Sequence, residues 1–190
     1  DIVPLIYFSL ALWLIAFLVV AYYPKRSSWL KNRIFAGFLG SLLLAGAAYS
    51  VVKIRGLDDG VFWLFWLFVL TTSVDAGGYF VGRKYGERPL AARVSPGKTI
   101  EGLGGGLLFA TLICGLLSYL FLSGSNLGYY ILLPLVFFCV VGDLLESVLK
   151  RIYGKKDSGA MLPGHGGLLD RIDSVIPVMT AGAAFLLNAY

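Results

Sequence analysis

Charge is the scarcest property of this sequence. Only 14% of its 190 residues are charged, against about 25% in an ordinary soluble domain. So little polar material excludes a fold that covers itself in water. Histidine is reduced to one residue, and the two cysteines, Cys114 and Cys139, stand inside apolar runs without CxxC or Cys/His metal spacing. They read as small buried hydrophobes, which excludes a cysteine-built metal site. The first apolar run has no basic segment before it, no small-residue cleavage site, and too much length for a signal peptide. It is expected to be a span. The chain does not open on Met, so the expectation is a longer or processed protein.

What is abundant is apolar sequence: 58% of residues are hydrophobic and the mean hydropathy is +0.80. Stretches of about 20 apolar residues, enough to cross a bilayer, fall at 2–23, 34–52, 61–82, 103–122, 129–149 and 175–190. The expected fold is therefore all-α, a polytopic transmembrane bundle of about six spanning helices. Residues 1–60 are expected to form N-terminal transmembrane helices. Residues 61–190 are expected to form a catalytic transmembrane domain with cytoplasmic loops 83–98 and 150–173.

Lysine and arginine fall between the runs, and unevenly. Segments 24–33, 53–60, 83–98, 123–128 and 150–173 hold 4, 2, 5, 0 and 5 of them. Basic loops stay on the cytoplasmic side, so this alternation predicts six crossings with both termini outside. For segment 24–33, topology and attraction to anionic lipid suffice as an explanation. The other two basic loops also carry glycines, prolines and carboxylates in close order.

An acid at the centre of a spanning helix costs about 2.5–3.5 kcal/mol on insertion scales, yet Asp75, Glu101, Asp143 and Glu146 all lie in or at the ends of runs. Asp143, Glu146, Ser147 and Lys150 recur at i, i+3, i+4 and i+7, one helical face. Hard oxygen ligands beside a cation suit Mg²⁺ shared with substrate phosphates. Asp170 and Asp173 add a second acidic pair if their stretch is helical. Intramembrane salt bridges between these acids and the loop cations are the alternative. Asp75, Gly78, Tyr79 and Gly82 share another face, whose glycines permit close backbone approach.

Gly97-Lys98-Thr99 has the form of a P-loop tail, but Ala92 stands where that fingerprint needs glycine, and no strand is predicted before it. A Walker A site is excluded. Exposed amides at a helix start beside Lys98 still suit an anion within Ser95 to Gly102. Gly102 and Gly106 have the GxxxG spacing of tight helix packing.

The most specific stretch is 147–173. It runs through Ser147, Lys150, Arg151, Lys156, Asp157, Ser158 and Gly159 to Leu162-Pro163-Gly164-His165-Gly166-Gly167 and Asp170-Arg171-Ile172-Asp173. This closely resembles, without departure, the signature of the phosphatidate cytidylyltransferases (CDP-diacylglycerol synthases). Segments 75–82 and 95–102 are similar to that family too, so the resemblance runs from about residue 70 to the end. Members usually carry further N-terminal spans.

The resemblance implies a nucleotidyltransferase of phospholipid biosynthesis. CTP and phosphatidic acid give CDP-diacylglycerol and pyrophosphate, with Mg²⁺ and room for a second metal ion. It implies catalytic roles for Asp143, Lys150, Arg151, His165, Asp170 and Arg171. Metal ligands would come from Asp143, Glu146, Asp170 and Asp173. Substrate contacts would come from Asp75, Ser95, Lys98, Thr99, Ser147, Lys156, Asp157, Gly166 and Gly167. His165 is open between phosphate or proton handling, loop-organising hydrogen bonds and metal ligation. The expected partners are CTP, phosphatidic acid and the bilayer, with no nucleic acid; a homodimer is left open. The expected setting is a bacterial inner or plasma membrane with the site on its cytoplasmic face. A polyisoprenoid kinase would not need the complete 147–173 signature. A transporter would spread its charges along a pathway between repeated halves, and no internal repeat is present.

Overall fold

A computed structural model describes residues 3–25, 27–122, 126–155, 158–159 and 167–189. The expected helices form: α1 (Val3–Ala21), α2 (Arg33–Arg55), α3 (Gly60–Tyr85), α4 (Ile100–Phe121), α5 (Leu127–Ile152), a short α6 (Leu169–Ile172) and α7 (Val175–Ala189). Among the described residues, six segments are long and apolar enough to cross a membrane, the last formed by α6 and α7 together over Leu169–Ala189. The fold is an all-α polytopic bundle. Helices α3 and α5 run past the ends of their apolar stretches to Tyr85 and Ile152. Basic residues in their last turns, Arg83 and Lys84 in α3 and Lys150 and Arg151 in α5, complement the helix dipole there and allow the extension.

Both the inside and the outside of the bundle are apolar. Trp63, Trp66, Leu67 and Leu70 of α3 are fully buried and pack in one core with Leu135 of α5 and Val178, Ala181 and Leu186 of α7. Ile6 and Trp13 of α1 and Leu43 of α2 belong to the same core. Meanwhile Phe8, Phe38, Phe68, Leu112 and Leu133 are exposed on the outer surface, as a bilayer-facing surface requires. The indole N–H of Trp66 donates to the Cys114 carbonyl at 3.1 Å and to Ser118 Oγ at 3.0 Å, so its polar atom is not stranded in the core. Cys114 and Cys139 are free and buried.

The closest helix pair is α3 with α4, and glycine makes it so. A Cβ on Gly77 would lie 2.5 Å from the Gly105 carbonyl, and one on Gly105 would lie 2.4 Å from Val81 Cβ. Neither neighbour can yield, because both belong to the facing helix itself. Gly105→Leu is therefore expected to destabilise the protein by about 3 kcal/mol or more, as overpacking of a closed core does. Gly104 faces outward with open space around it, so Gly104→Leu should melt near wild type. Thermal melts of both variants in detergent test the contrast; equal midpoints would show that this seam does not hold the pair.

Between α3 and α4 the chain folds into a two-stranded antiparallel hairpin, β1 (Pro89–Ala91) and β2 (Ser95–Thr99), pairing Pro89 with Thr99 and Ala91 with Ser95. No alternating pattern predicted it, and Pro96 and Gly97 within β2 argue against a strand on propensity alone. It is held from its base. Glu101 accepts the amides of Glu87 and Arg88, both at 3.1 Å, and pairs with the Arg88 guanidinium at 2.7 Å. Gly97-Lys98-Thr99 thus lies on the strand itself, unlike a P-loop.

The three basic segments meet at one end of the bundle. Tyr153 Oη donates to the Leu30 carbonyl at 2.7 Å, and Arg151 Nε donates to the Val94 carbonyl at 3.2 Å. The Arg33 guanidinium lies 5.9 Å from the Tyr153 ring centroid. At the other end Phe62 contacts Phe121, and Asn188 donates to Tyr7 Oη at 2.9 Å. An up-and-down bundle puts alternate loops together, which is what the charge alternation requires.

Candidate active site

The chemistry gathers at that basic end, where α3 and α5 finish and α4 and the α6–α7 unit begin. Asp75, Gly78 and Tyr79 from α3, Lys98 and Thr99 from β2, and Gly102 from α4 line a cavity of about 400 Å³. Asp143 from α5 and Asp170, Arg171 and Asp173 from the α6 region complete it.

Helical spacing puts Asp143 and Glu146 one turn apart on α5, and the α6–α7 turn brings Asp173 to them. Single carboxylate oxygens of these three residues all lie within 4.8 Å of one another. Asp173 reaches that position through Gly142. A Cβ there would sit 2.2 Å from the Asp173 carbonyl oxygen and 2.6 Å from Pro177 Cγ, so only glycine lets α7 begin so close to α5. The Ser174 amide donates to Asp173 Oδ1 at 2.7 Å and holds the side chain in place.

Lysines border the acids. Lys98 pairs with Asp143, and Lys150 pairs with Glu146 on its own helix and with Asp170 at 2.9 Å. Burial pushes the Lys98 ammonium below the ordinary lysine range, to about 8, although Asp173 and Asp75 nearby favour its charged form. Asp170 is held differently from its neighbour three residues on. It accepts the Ser158 amide at 3.0 Å, Ser158 Oγ at 2.8 Å and the Gly167 amide at 2.7 Å. It thereby ties together Ser158 and Gly167, which flank much of the glycine-rich signature.

The donor set fits a hard divalent cation. Glu146 is buried and pairs with Lys150 through Oε2, while its Oε1 has no hydrogen-bond partner among the described residues. Among the described residues around the cavity, Asp75, Asp143, Glu146, Asp170 and Asp173 outnumber Lys98, Lys150 and Arg171. Lys98 and Lys150 each meet one of the three convergent carboxylates, and a divalent cation would offset the repulsion that remains among them. All-oxygen donors suit Mg²⁺ better than a softer metal.

Other predicted site residues have distinct places. Thr99 caps α4, its Oγ1 accepting the Gly102 amide at 3.1 Å. Ser95 opens β2, and Ser147 is half-buried on α5. Arg151 points to the hairpin through Val94 and does not line the cavity. Lys156, Asp157, His165 and Gly166 lie outside the described residues. Glu101, counted among the intramembrane acids, serves the hairpin base instead. Sequence reasoning gave no role to Ser158 or Gly142. Ser158 sits in the quoted signature, but its partner Asp170 is 12 residues away and only the turn of the chain joins them.

Comparison with known proteins gives matches over most of the chain. The model of the cytidylyltransferase family matches residues 2–188. A phosphatidate cytidylyltransferase of Haemophilus influenzae is 38% identical over 196 aligned residues, covering 94% of this chain and 65% of that protein. Those of Bacillus subtilis and Pseudomonas aeruginosa are 40% and 38% identical, covering 74% and 95% of this chain and 54% and 68% of theirs. The chain thus spans roughly half to two thirds of the length of these relatives.

Proposed function

The chain belongs to the cytidylyltransferase family, and from that premise we propose that it joins CTP to phosphatidic acid, releasing pyrophosphate and forming CDP-diacylglycerol. The observation that carries this reading is the convergence of Asp143, Glu146 and Asp173, two of which line one cavity with Lys98 at the basic end of a membrane bundle. Residues 61–190 would carry the chemistry, and the excess of lysine and arginine at that end would set it on the cytoplasmic face. CTP then arrives from water and phosphatidic acid from the inner leaflet.

A phosphate oxygen of phosphatidic acid attacks the α-phosphorus of CTP in line. The new P–O bond forms as the α–β bridging bond breaks, and its electron pair leaves with pyrophosphate. No protein base is required, because a phosphate monoester with a second pKa of about 6 is largely ionised at pH 7. The task left to the protein is to bring two polyanions together and hold them in register. Lys98 and Arg171 line the cavity and would hold phosphate oxygens, Lys as a point charge and Arg as a fork. Lys150 keeps Glu146 and Asp170 in position, and Asp170 holds the ends of the signature loop. A divalent ion held by Asp143, Glu146 and Asp173 would supply charge neutralisation to the reacting phosphates.

The test is an assay of the purified full-length protein with labelled CTP and phosphatidic acid. CDP-lipid should form with Mg²⁺, vanish with a chelator and return when Mg²⁺ is restored in excess. A folded preparation that makes no CDP-lipid would overturn the reading. Undiminished synthesis in chelator would remove the metal from it.

A further inference from the structure

A second cavity, of about 470 Å³, lies beside the charged one. Its walls come from α1 (Phe17, Val20), the hairpin (Ala91, Ala92) and α5 (Phe137, Leu144). Leu90, Leu103 and Val140 line both cavities, so the two are neighbours through a shared apolar wall. Their chemistry is opposite. The first is rich in carboxylates and cations, whereas Arg93 is the sole charged residue lining the second among the described residues. Phe17 and Phe137 meet edge-on at 5.0 Å, and both remain over a third exposed on the outer side. The groove therefore adjoins the charged site across Leu90, Leu103 and Val140 and has partly exposed rings in another of its walls.

We propose that this groove holds an acyl chain of the lipid phosphate whose headgroup enters the charged cavity. The assignment rests on the proposed reaction and adds to it a berth for the apolar half of the substrate. A phosphate esterified to acyl chains has one end that needs cations and another that gains by leaving water. Lys98 and Leu90 stand on the same small hairpin, one on each requirement, with Arg93 at the hairpin turn beside the groove. A second copy of this chain or another protein helix would need an apolar face but no charged cavity next to it. That adjacency across Leu90, Leu103 and Val140 selects the lipid.

Val20→Trp and Ala91→Phe would fill the groove from opposite walls without touching the charged cavity. In the full-length protein, both should raise the KM for a long-chain phosphatidate at least tenfold. The KM values for CTP and for a water-soluble dibutyryl phosphatidate should stay at wild type. Equal effects on long and short chains, or an altered oligomeric state without chain-length dependence, would overturn the groove while leaving the reaction intact. Wild-type protein inactive on either lipid would instead sink the reaction. In that case the groove is judged by a phosphatidate carrying a diazirine on its acyl chain. Crosslinks should map to Phe17, Phe137 or Leu144, and labelling confined to the outer faces of α2 and α4 would reject it.

Discussion

Asp143→Asn should lower kcat by at least about 10³-fold and leave membrane insertion and folding intact. The side chain keeps its shape, so α5 has no steric reason to move. What goes is a negative charge that touches both Lys98 and the shared carboxylate site. Metal ligation of reacting phosphates is worth several kcal/mol, and about 4 kcal/mol corresponds to about a 10³-fold loss in rate. Stability should respond differently from rate. Lys98 loses its partner, but Glu146 and Asp173 lose a repelling neighbour, and these changes oppose each other. The wild type should melt at higher temperature as Mg²⁺ is added, because a ligand of the folded state stabilises it; the variant should not. Steady-state kinetics with labelled CTP, alongside melts with and without Mg²⁺, measure both. Activity within a few-fold of wild type would take Asp143 out of the site.

Gly142→Ala carries the second large effect, although it changes no functional group. The added methyl would collide with the Asp173 carbonyl and the Pro177 ring, and neither is the end of a flexible side chain. The start of α7 must shift, carrying Asp173 away from Asp143 and Glu146. A displacement of about 1 Å at such a site can cost about 10²-fold in rate. The expected signature is a fall in kcat of about that size together with a higher Mg²⁺ concentration for half-maximal activity. A role confined to packing would lower the melting temperature but leave the Mg²⁺ titration unmoved. That outcome would separate Gly142 from the positioning of Asp173.

These two residues mark the limit of what periodicity can convey. Asp143, Glu146 and Lys150 lie on one helix, so spacing alone puts them on one face, and the structure pairs Glu146 with Lys150 as that spacing implies. Asp170 and Asp173 look equivalent in sequence, two acids three residues apart. In the fold they part company: Asp170 accepts hydrogen bonds from Ser158 and Gly167, while Asp173 turns toward α5. Nothing local distinguishes them, because the difference lies in what each one faces across the bundle. The hairpin was equally hidden. Its strands are three and five residues long, too short for a pattern, and its hold on Glu101 spans 13 residues.

By itself the sequence determined that the protein lives in a membrane, how many times it can cross, and which loops belong together. Each of these follows from local quantities: the length of an apolar run against the thickness of a bilayer, and the count of cations between runs. The 147–173 stretch added a family, since a dense set of spaced residues is legible without a fold. Only the tertiary structure decided which acids converge, which lysine meets which carboxylate, and that an apolar groove adjoins the charged cavity. Those facts depend on how closely helices approach, and a missing Cβ at Gly77, Gly105 or Gly142 acts only against the partner it meets.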